Sequence, residues 1–302
     1  MVRYAGGELT MATATQVLSH GVRQITLDGD GIELSALLSE PEGIPPRAVV
    51  VALHGAGMSA GYFDGQASPG LSLLTLGARL GFTVLAVDRP GYGRSTASLP
   101  EGQSLADQAR TVRAAVADFT ARYPTGAGLF LLAHSFGGKL ALTIAAQDEQ
   151  QHWLGVDVSG CGHQYAVGPG ELPGAGSFKH WRRMWGPLRL YPPNTFQSSG
   201  AVVAPTPEQE QRDTEHWPLE FPELASRIQV PVRFTFAEHE SWWHHDSPTL
   251  ADLSSRLTSA PRVLVDRQPS AGHNISLGFA ARSYHLRALG FLEDCLLRRD
   301  GT

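Results

Sequence analysis

The chain has 302 residues, 42% of them hydrophobic, and a formal net charge of −5. This length accommodates one large α/β domain with a sizeable core. The mildly acidic balance argues against a surface that follows a phosphate backbone, so nucleic acid is not expected as a partner. No apolar run is long enough to cross a bilayer, so a membrane partner is not expected either.

The N-terminal region carries few structural signals. Residues 1–21 precede the first regular pattern and are expected to form a poorly ordered extension. The region lacks the charged start, apolar centre and cleavage site of a secretory signal, which favours a cytoplasmic protein. The two cysteines, Cys161 and Cys295, fit neither a disulfide framework nor a metal-ligand spacing and are expected to be reduced thiols.

Strand and helix patterns alternate from residue 24 onward. A hairpin is predicted over residues 25–38, with the turn Asp28-Gly29-Asp30-Gly31 in its middle. Apolar runs typical of strands buried on both faces follow at 48–53, 82–87, 129–132, 154–156, 232–236 and 262–265. Helices are predicted over 71–80, 104–123, 137–147, 247–257 and 279–298. This alternation predicts a mostly parallel sheet with helices on both faces.

Residues 161–230 interrupt the alternation, because they are rich in Pro, Gly, Trp and charge and contain no run of the buried-strand type. A structureless loop of this length is not expected in a compact domain. We therefore interpret the segment as a lid inserted between two parts of the core, residues 22–160 and 231–298. One helical face of it carries Trp181, Met184, Trp185 and Leu188, which either packs on the core or also roofs a substrate pocket.

The clearest chemical signal is the segment Ala133-His134-Ser135-Phe136-Gly137. It lies between a buried strand and a helix, where a serine hydroxyl is exposed at the turn. Small residues at two-residue spacing on either side let the strand and the helix approach each other. The usual motif is GxSxG, and the alanine at its first position is still small. Ser135 is therefore the candidate nucleophile.

On these residues the chain resembles the α/β-hydrolase family, from about Gln24 to Leu297. The segment Leu53-His54-Gly55-Ala56-Gly57 follows a buried strand, and the resemblance implies that the backbone N–H groups of Ala56 and Phe136 form an oxyanion hole. Residues 88–95 are similar to the family's DxxGxGxS loop, in which Asp88 is expected to be structural. The lid is expected to be helical and to follow the strand after the nucleophile helix.

The base and the acid follow from chain order, which in this family runs nucleophile, acid, histidine. His273, in Ala271-Gly272-His273-Asn274, lies where the base is expected. Glu240 is the first choice for the acid, because Ala237-Glu238-His239-Glu240-Ser241 resembles the family's GExD turn. Glu238 is an alternative, since residues two apart in an extended segment point the same way. Asp157 is a second alternative, after the strand where some lipase-like members place the acid.

Aromatic residues of the lid and of the acid turn suggest an apolar substrate pocket. The expected lining residues are Trp181, Trp185, Trp242 and Trp243. Basic lid residues either contact an anionic substrate or form a solvated face. These are Lys179, His180, Arg182, Arg183 and Arg189. The histidines near Glu240 lack the HExxH spacing of a zinc helix, so neither a metal nor another cofactor is expected.

Together these motifs predict a serine hydrolase that cleaves a carboxylic ester, thioester or lactone through an acyl-enzyme on Ser135, with His273 as general base. The expected partner is a small acyl compound, free or bound to a carrier or coenzyme A. An acyltransferase or a cyclising thioesterase would use the same acyl-enzyme, whereas a lyase on the same scaffold would form none. The sequence leaves the oligomeric state open.

Overall fold

The computed structural model describes residues 17–148, 152–172, 178–198, 200 and 202–300, with only the backbone described for 169, 178–181 and 300. Its centre is one eight-stranded sheet in the order β1-β2-β4-β3-β5-β6-β7-β8. The strands are β1 Arg23–Asp28, β2 Glu33–Ser39, β3 Val49–Leu53, β4 Thr83–Val87, β5 Leu129–His134, β6 Trp153–Ser159, β7 Val232–His239 and β8 Val263–Gly272. The predicted extension over residues 1–21 lies largely outside the described residues.

The sheet is mostly parallel, as the sequence predicts. Strand β2 pairs antiparallel with both β1 and β4, and every other neighbouring pair is parallel. The helices are α1 Leu73–Arg79, α2 Leu105–Arg122, α3 Phe136–Ala146, α4 Phe178–Trp185, α5 Thr195–Ser198, α6 Glu208–Ser226, α7 Ser247–Arg256 and α8 Ala281–Asp300. The α/β fold class predicted from the alternation of elements is thus confirmed.

The predicted helix boundaries have visible physical causes. At the start of α2, the Ser104 hydroxyl accepts from the Asp107 amide at 3.2 Å and donates to the Asp107 carboxylate at 2.6 Å. These contacts cap the N-terminus of α2. The start of α7 is capped by Asp246, which accepts from the Thr249 amide at 3.1 Å. Asp246 therefore has a structural role at a helix N-terminus.

Residues 161–230 lie between β6 and β7 and are called the β6–β7 segment from here on. Their described part contains α4, α5 and α6. The longest of these, α6, packs against α3, the helix that follows Ser135. Its residues Trp217, Phe221 and Leu224 belong to the same buried cluster as the sheet and α2. Helix α6 is therefore packed into the core of the molecule.

Candidate active site

Ser135 occupies the turn between β5 and α3, at the carboxyl end of a central strand. Its backbone has φ 53° and ψ −116°, a conformation that non-glycine residues rarely adopt. The Ser135 amide donates to the carbonyl of Ser159 at 2.8 Å, which ties the turn to the neighbouring strand β6. Strain of this kind persists where the surroundings over-determine the backbone and is concentrated at functional sites.

The small residues on either side of Ser135 have different structural roles. A side chain on Gly137 would overlap the backbone carbonyl oxygens of Leu53 and His54, so only glycine fits there. Ala133 is buried within β5, where it is in register with Leu53 of β3 and Val158 of β6. A methyl group at Ala133 packs in the sheet without such an overlap. This explains why alanine is accommodated at the first position of the motif while the last position requires glycine.

His273 lies between Ser135 and Glu240 and is only 2% exposed. Its Nε2 is 3.1 Å from Ser135 Oγ, and its Nδ1 is 2.8 Å from Glu240 Oε2. A carboxylate can only accept, so Nδ1 carries the proton and Nε2 is free to accept from the serine hydroxyl. The three side chains that the sequence selects as nucleophile, base and first-choice acid thus form one continuous line of hydrogen bonds.

Glu240 is held in place on both of its carboxylate oxygens. While Oε2 accepts from His273, Oε1 accepts from the backbone amides of Ser241 and Trp242, each at 2.9 Å. Burial alone would raise the pKa of Glu240, but His273 and the two amides outweigh it and hold the pKa below the ordinary value. The carboxylate is therefore ionised at neutral pH and oriented towards the imidazole.

The two alternative acids lie in different surroundings. Asp157 is fully buried, and its two oxygens accept from Arg233 Nη1 at 2.5 Å and from the Tyr284 hydroxyl at 2.8 Å. Glu238 is exposed and accepts from the Ser270 amide at 2.7 Å. The structure therefore does not place either carboxylate in a hydrogen bond with His273.

The predicted oxyanion donors flank the nucleophile from two sides. Phe136 is the first residue of α3, so its amide has no partner within the helix. Ala56 lies in the loop after β3, and the preceding Gly55 is so close to Ser135 that a side chain there would approach the serine Cβ at 3.1 Å. Neither amide donates a hydrogen bond to another group in the part of the chain that the structure describes.

A second histidine lies directly behind the first. The ring of His134 is 4.8 Å from the ring of His273 and is stacked on Tyr62 at 4.7 Å. Burial and the neighbouring His273 lower the pKa of His134 well below its ordinary value, so it remains neutral. His134 thus provides an uncharged wall against which the His273 ring packs.

The tryptophans of the sequence analysis occupy different positions. The Trp242 ring is 6.5 Å from the His273 ring, edge to face, and is 1% exposed. Trp243 stacks on Tyr165 at 4.1 Å and donates to the Gly160 carbonyl at 2.8 Å. Trp185 is in edge contact with the rings of Tyr191 and Phe196. The side chain of Trp181 lies outside the described residues.

The described side chains of the basic group predicted from the sequence lie in different surroundings. Arg183 lies over the Trp242 ring at 5.8 Å and pairs with Glu171 at 3.2 Å. Arg182 and Arg189 are exposed. The side chains of Lys179 and His180 lie outside the described residues. Among the described side chains of this group, Arg183 is the one that contacts the tryptophan beside His273.

Arg89, Tyr92 and Glu210 are buried beside the Ala56 loop, and no sequence motif predicts a role for them. Glu210 is separated from Arg89 by 121 residues, so no local motif reports their contact.

None of the helices in the described ranges has the length and apolar content that a bilayer crossing demands. The family model described as "Alpha/beta hydrolase family" matches residues 50–289. No curated protein matches the chain in sequence.

Several solved structures are similar in fold. A thermostable carboxyl esterase from Bacillus coagulans is 14% identical, with a TM-score of 0.66 over 92% of this chain and 100% of that one. A proline iminopeptidase from Mycobacterium smegmatis is 18% identical, with a TM-score of 0.65 over 92% and 100%. A thioesterase domain from the curacin biosynthetic pathway is 16% identical, with a TM-score of 0.59 over 89% and 99%. At these identities the similarity establishes a shared fold.

Proposed function

Since this chain belongs to the α/β-hydrolase family, we propose that it is a serine hydrolase that cleaves a carboxylic ester, thioester or lactone. The observation that carries the proposal is the line of hydrogen bonds from Ser135 through His273 to Glu240, with distances of 3.1 and 2.8 Å. Nucleophile, base and orienting carboxylate stand in the order and at the spacing that acyl transfer requires.

The proposed reaction begins when Ser135 Oγ attacks the substrate carbonyl carbon while His273 Nε2 takes the hydroxyl proton. The imidazolium that forms is stabilised by Glu240, which stays ionised. His273 then returns the proton to the leaving group as the bond from the carbonyl carbon to that group breaks. Water, deprotonated by the same histidine, attacks the acyl carbon; the bond from that carbon to Ser135 Oγ then breaks, and His273 returns the proton to Oγ as the acid leaves.

The amides of Ala56 and Phe136 donate hydrogen bonds to the carbonyl oxygen and stabilise the negative charge that develops on it. Both amides flank Ser135 and have no other partner among the described residues. Loss of one such donor typically lowers kcat by about 10²–10³-fold. The positive end of α3 lies on the same side and adds to this stabilisation.

The β6–β7 segment is proposed to be the lid of this site. Its residues Trp185 and Tyr191 lie so close to Gly272 that a side chain at that glycine would be 2.5 Å from the Trp185 carbonyl and from the Tyr191 hydroxyl. Gly272 directly precedes His273. The segment therefore covers the base, and with Trp242 it favours a substrate whose acyl part is largely apolar.

The experiment that tests the proposal combines covalent labelling with a substrate screen. A fluorophosphonate probe should label the wild type and should fail to label Ser135→Ala. The same two proteins are assayed in parallel on p-nitrophenyl esters, acyl thioesters and lactones, and turnover by the wild type alone identifies the substrate class. Labelling that survives Ser135→Ala, or equal turnover by both proteins, would contradict the proposal.

Intact-mass measurement separates hydrolysis from the other reactions of this scaffold. A mass increase equal to the acyl group, present in wild type and absent from Ser135→Ala, demonstrates the acyl-enzyme. A lyase would release product without that adduct. If an added alcohol diverts most of the acyl group into a new ester, the enzyme is an acyltransferase.

A further inference from the structure

A group of three buried residues joins helix α6 to the loop that carries Ala56. We call it the α6 anchor; its members are Arg89, Tyr92 and Glu210, each at most 1% exposed. Arg89 Nη1 and Nη2 lie 2.5 and 3.2 Å from the two oxygens of Glu210, and the Tyr92 hydroxyl donates to Glu210 Oε2 at 2.9 Å. Glu210 belongs to the β6–β7 segment, whereas Arg89 and Tyr92 belong to the loop after β4.

The α6 anchor binds the loop on the side that follows Ala56. The amide of Gly57 donates to the Tyr92 hydroxyl at 3.0 Å, and that hydroxyl donates onward to Glu210. The two hydrogen bonds therefore have the same direction, from the Gly57 amide through the Tyr92 hydroxyl to the Glu210 carboxylate. Because the Tyr92 hydroxyl donates its single proton to Glu210, the hydroxyl oxygen can only accept from the Gly57 N–H.

The same anchor binds the loop on the side that precedes Ala56. Arg89 Nε donates to the His54 carbonyl at 2.7 Å, and the Arg89 amide donates to His54 Nε2 at 3.1 Å. Burial and the nearby Arg89 lower the pKa of His54 well below its ordinary value, so the ring is neutral. With Nε2 accepting, Nδ1 carries the proton and donates to the Gly55 carbonyl at 2.8 Å.

Further contacts fix the same loop from the β6–β7 segment. The Ala204 amide donates to the Gly57 carbonyl at 2.9 Å, and Met58 pairs with Val203 in an antiparallel bridge. The guanidinium of Arg89 also lies over the ring of Phe136 at 4.8 Å, next to the second oxyanion donor. Thus the backbone groups around Ala56 are engaged, while the Ala56 amide points to no partner among the described residues.

We propose that Glu210 and Tyr92 are positioning residues that hold the Ala56 amide in the oxyanion hole, so that residues 202–210 of the β6–β7 segment fix the geometry of this hole. The inference rests on the proposed function. A buried ion pair contributes little net stability compared with apolar packing, so its presence here is better explained by the geometry it imposes on the loop.

The sharpest test is Tyr92→Phe, which removes one oxygen and leaves the Gly57 amide without its acceptor. We expect kcat on the best ester to fall about tenfold with KM unchanged, less than the ~10²–10³-fold that follows removal of a donor. Affinity for a trifluoromethyl ketone, whose adduct carries an oxyanion, should fall by the same factor. The pH profile should not shift, because His273 and Glu240 keep their contacts.

The chain offers a matched control in Tyr284→Phe. Tyr284 donates to Asp157, which is paired with Arg233. The variant therefore removes a tyrosine hydroxyl from a second group made of a buried tyrosine, carboxylate and arginine. This variant should lose stability while keeping kcat and inhibitor affinity. An equal loss of kcat in both variants would show that any buried defect lowers the rate, and would overturn the proposal.

Glu210→Gln keeps the inference falsifiable if Tyr92→Phe does not fold. The amide can still accept from Tyr92 but no longer carries the charge that binds Arg89, so kcat should fall again with KM unchanged. Wild-type kcat and inhibitor affinity in whichever variant folds would overturn the role of the α6 anchor alone. A wild type whose Ser135 neither reacts nor turns over esters would overturn the proposed function itself.

Discussion

Two buried carboxylates are candidates for the acid in the sequence: Asp157, which lies within β6, and Glu240, which directly follows the neighbouring strand β7. Glu240 faces an imidazole and two backbone amides, and its pKa is held below the ordinary value. Asp157 faces Arg233 and the Tyr284 hydroxyl, and burial raises its pKa although both partners oppose the change. The same functional group is thus stabilised as an ion in one place and penalised in the other.

The difference lies in what the partner can do with a proton. An imidazole can gain and release one near neutral pH, so a carboxylate beside it can support proton transfer. A guanidinium remains protonated at every accessible pH and can only fix the carboxylate in place. The partner, more than the depth of burial, therefore distinguishes a carboxylate suited to catalysis from one suited to joining strands.

The largest expected effect is on turnover in Glu240→Gln. The amide cannot stabilise the imidazolium and can hold the histidine in the wrong tautomer, so kcat should fall on the order of 10⁴-fold. Steady-state kinetics on the best ester measure this, with circular dichroism as the check on folding. Asp157→Asn should keep kcat within a few-fold for the folded fraction. Inactivity of Asp157→Asn alone would reverse the assignment of the acid.

The next effect is on stability in Asp157→Ala. Removal of this carboxylate leaves the Arg233 guanidinium, which is 2% exposed, without its buried counter-charge. The free energy of unfolding should fall by about 3–5 kcal/mol, measured by urea denaturation. Asp266 binds the same guanidinium at 2.8 Å but is 44% exposed, so Asp266→Ala should cost at most about 1 kcal/mol. Equal losses in the two variants would mean that Asp157 is not the dominant partner.

Much of the fold could be predicted from the sequence because it depends on local patterns. The apolar runs of the central strands, the Asp28–Gly31 turn and the cap of α2 each act within a few residues. Ser135, His273 and Glu240 were found for a related reason, since each sits in a short motif at the end of a strand. Their order along the chain then limited which of them could meet.

The contacts that the sequence did not predict are long-range and polar. Nothing near Asp157 reveals that Arg233 and Tyr284 will occupy its oxygens, because they come from β7 and α8. Helix α6 also carries Glu208, Glu215, Glu220 and Glu223, and nothing in the sequence indicates that Glu210 is the glutamate buried against Arg89. Burial of a charged side chain requires a partner, and tertiary packing determines which residue that partner is. A local sequence pattern therefore does not predict the burial.

A smaller effect should separate the two carboxylates by the sign of their pH dependence. The pKa of Glu240 is lower in the folded protein than its ordinary value of 4.5. Glu240 therefore stabilises the fold above pH 4.5, and this stabilisation is lost as the pH falls through the folded pKa. The pKa of Asp157 is higher in the folded protein than its ordinary value of 3.8. The fold therefore loses stability as the pH rises from 3.8 through the folded pKa of Asp157.

Urea denaturation between pH 7 and pH 3.5 can measure these opposite slopes. The free energy of wild type minus that of Glu240→Gln should decrease towards low pH. The corresponding difference for Asp157→Asn should increase towards low pH. Slopes of the same sign would show that the two carboxylates do not differ electrostatically as described.

The smallest effect is expected at Glu238, which lies two residues before Glu240. Its side chain is exposed and accepts from the Ser270 amide at 2.7 Å, and a glutamine oxygen can accept the same hydrogen bond. Glu238→Gln should therefore leave kcat within twofold and the free energy of unfolding within about 0.5 kcal/mol. A loss of turnover comparable to that of Glu240→Gln would place Glu238 beside His273 during catalysis. In that case the choice of Glu238 or Glu240 as the acid would depend on motion of the turn after β7, and not on the hydrogen bonds that each carboxylate makes in the structure.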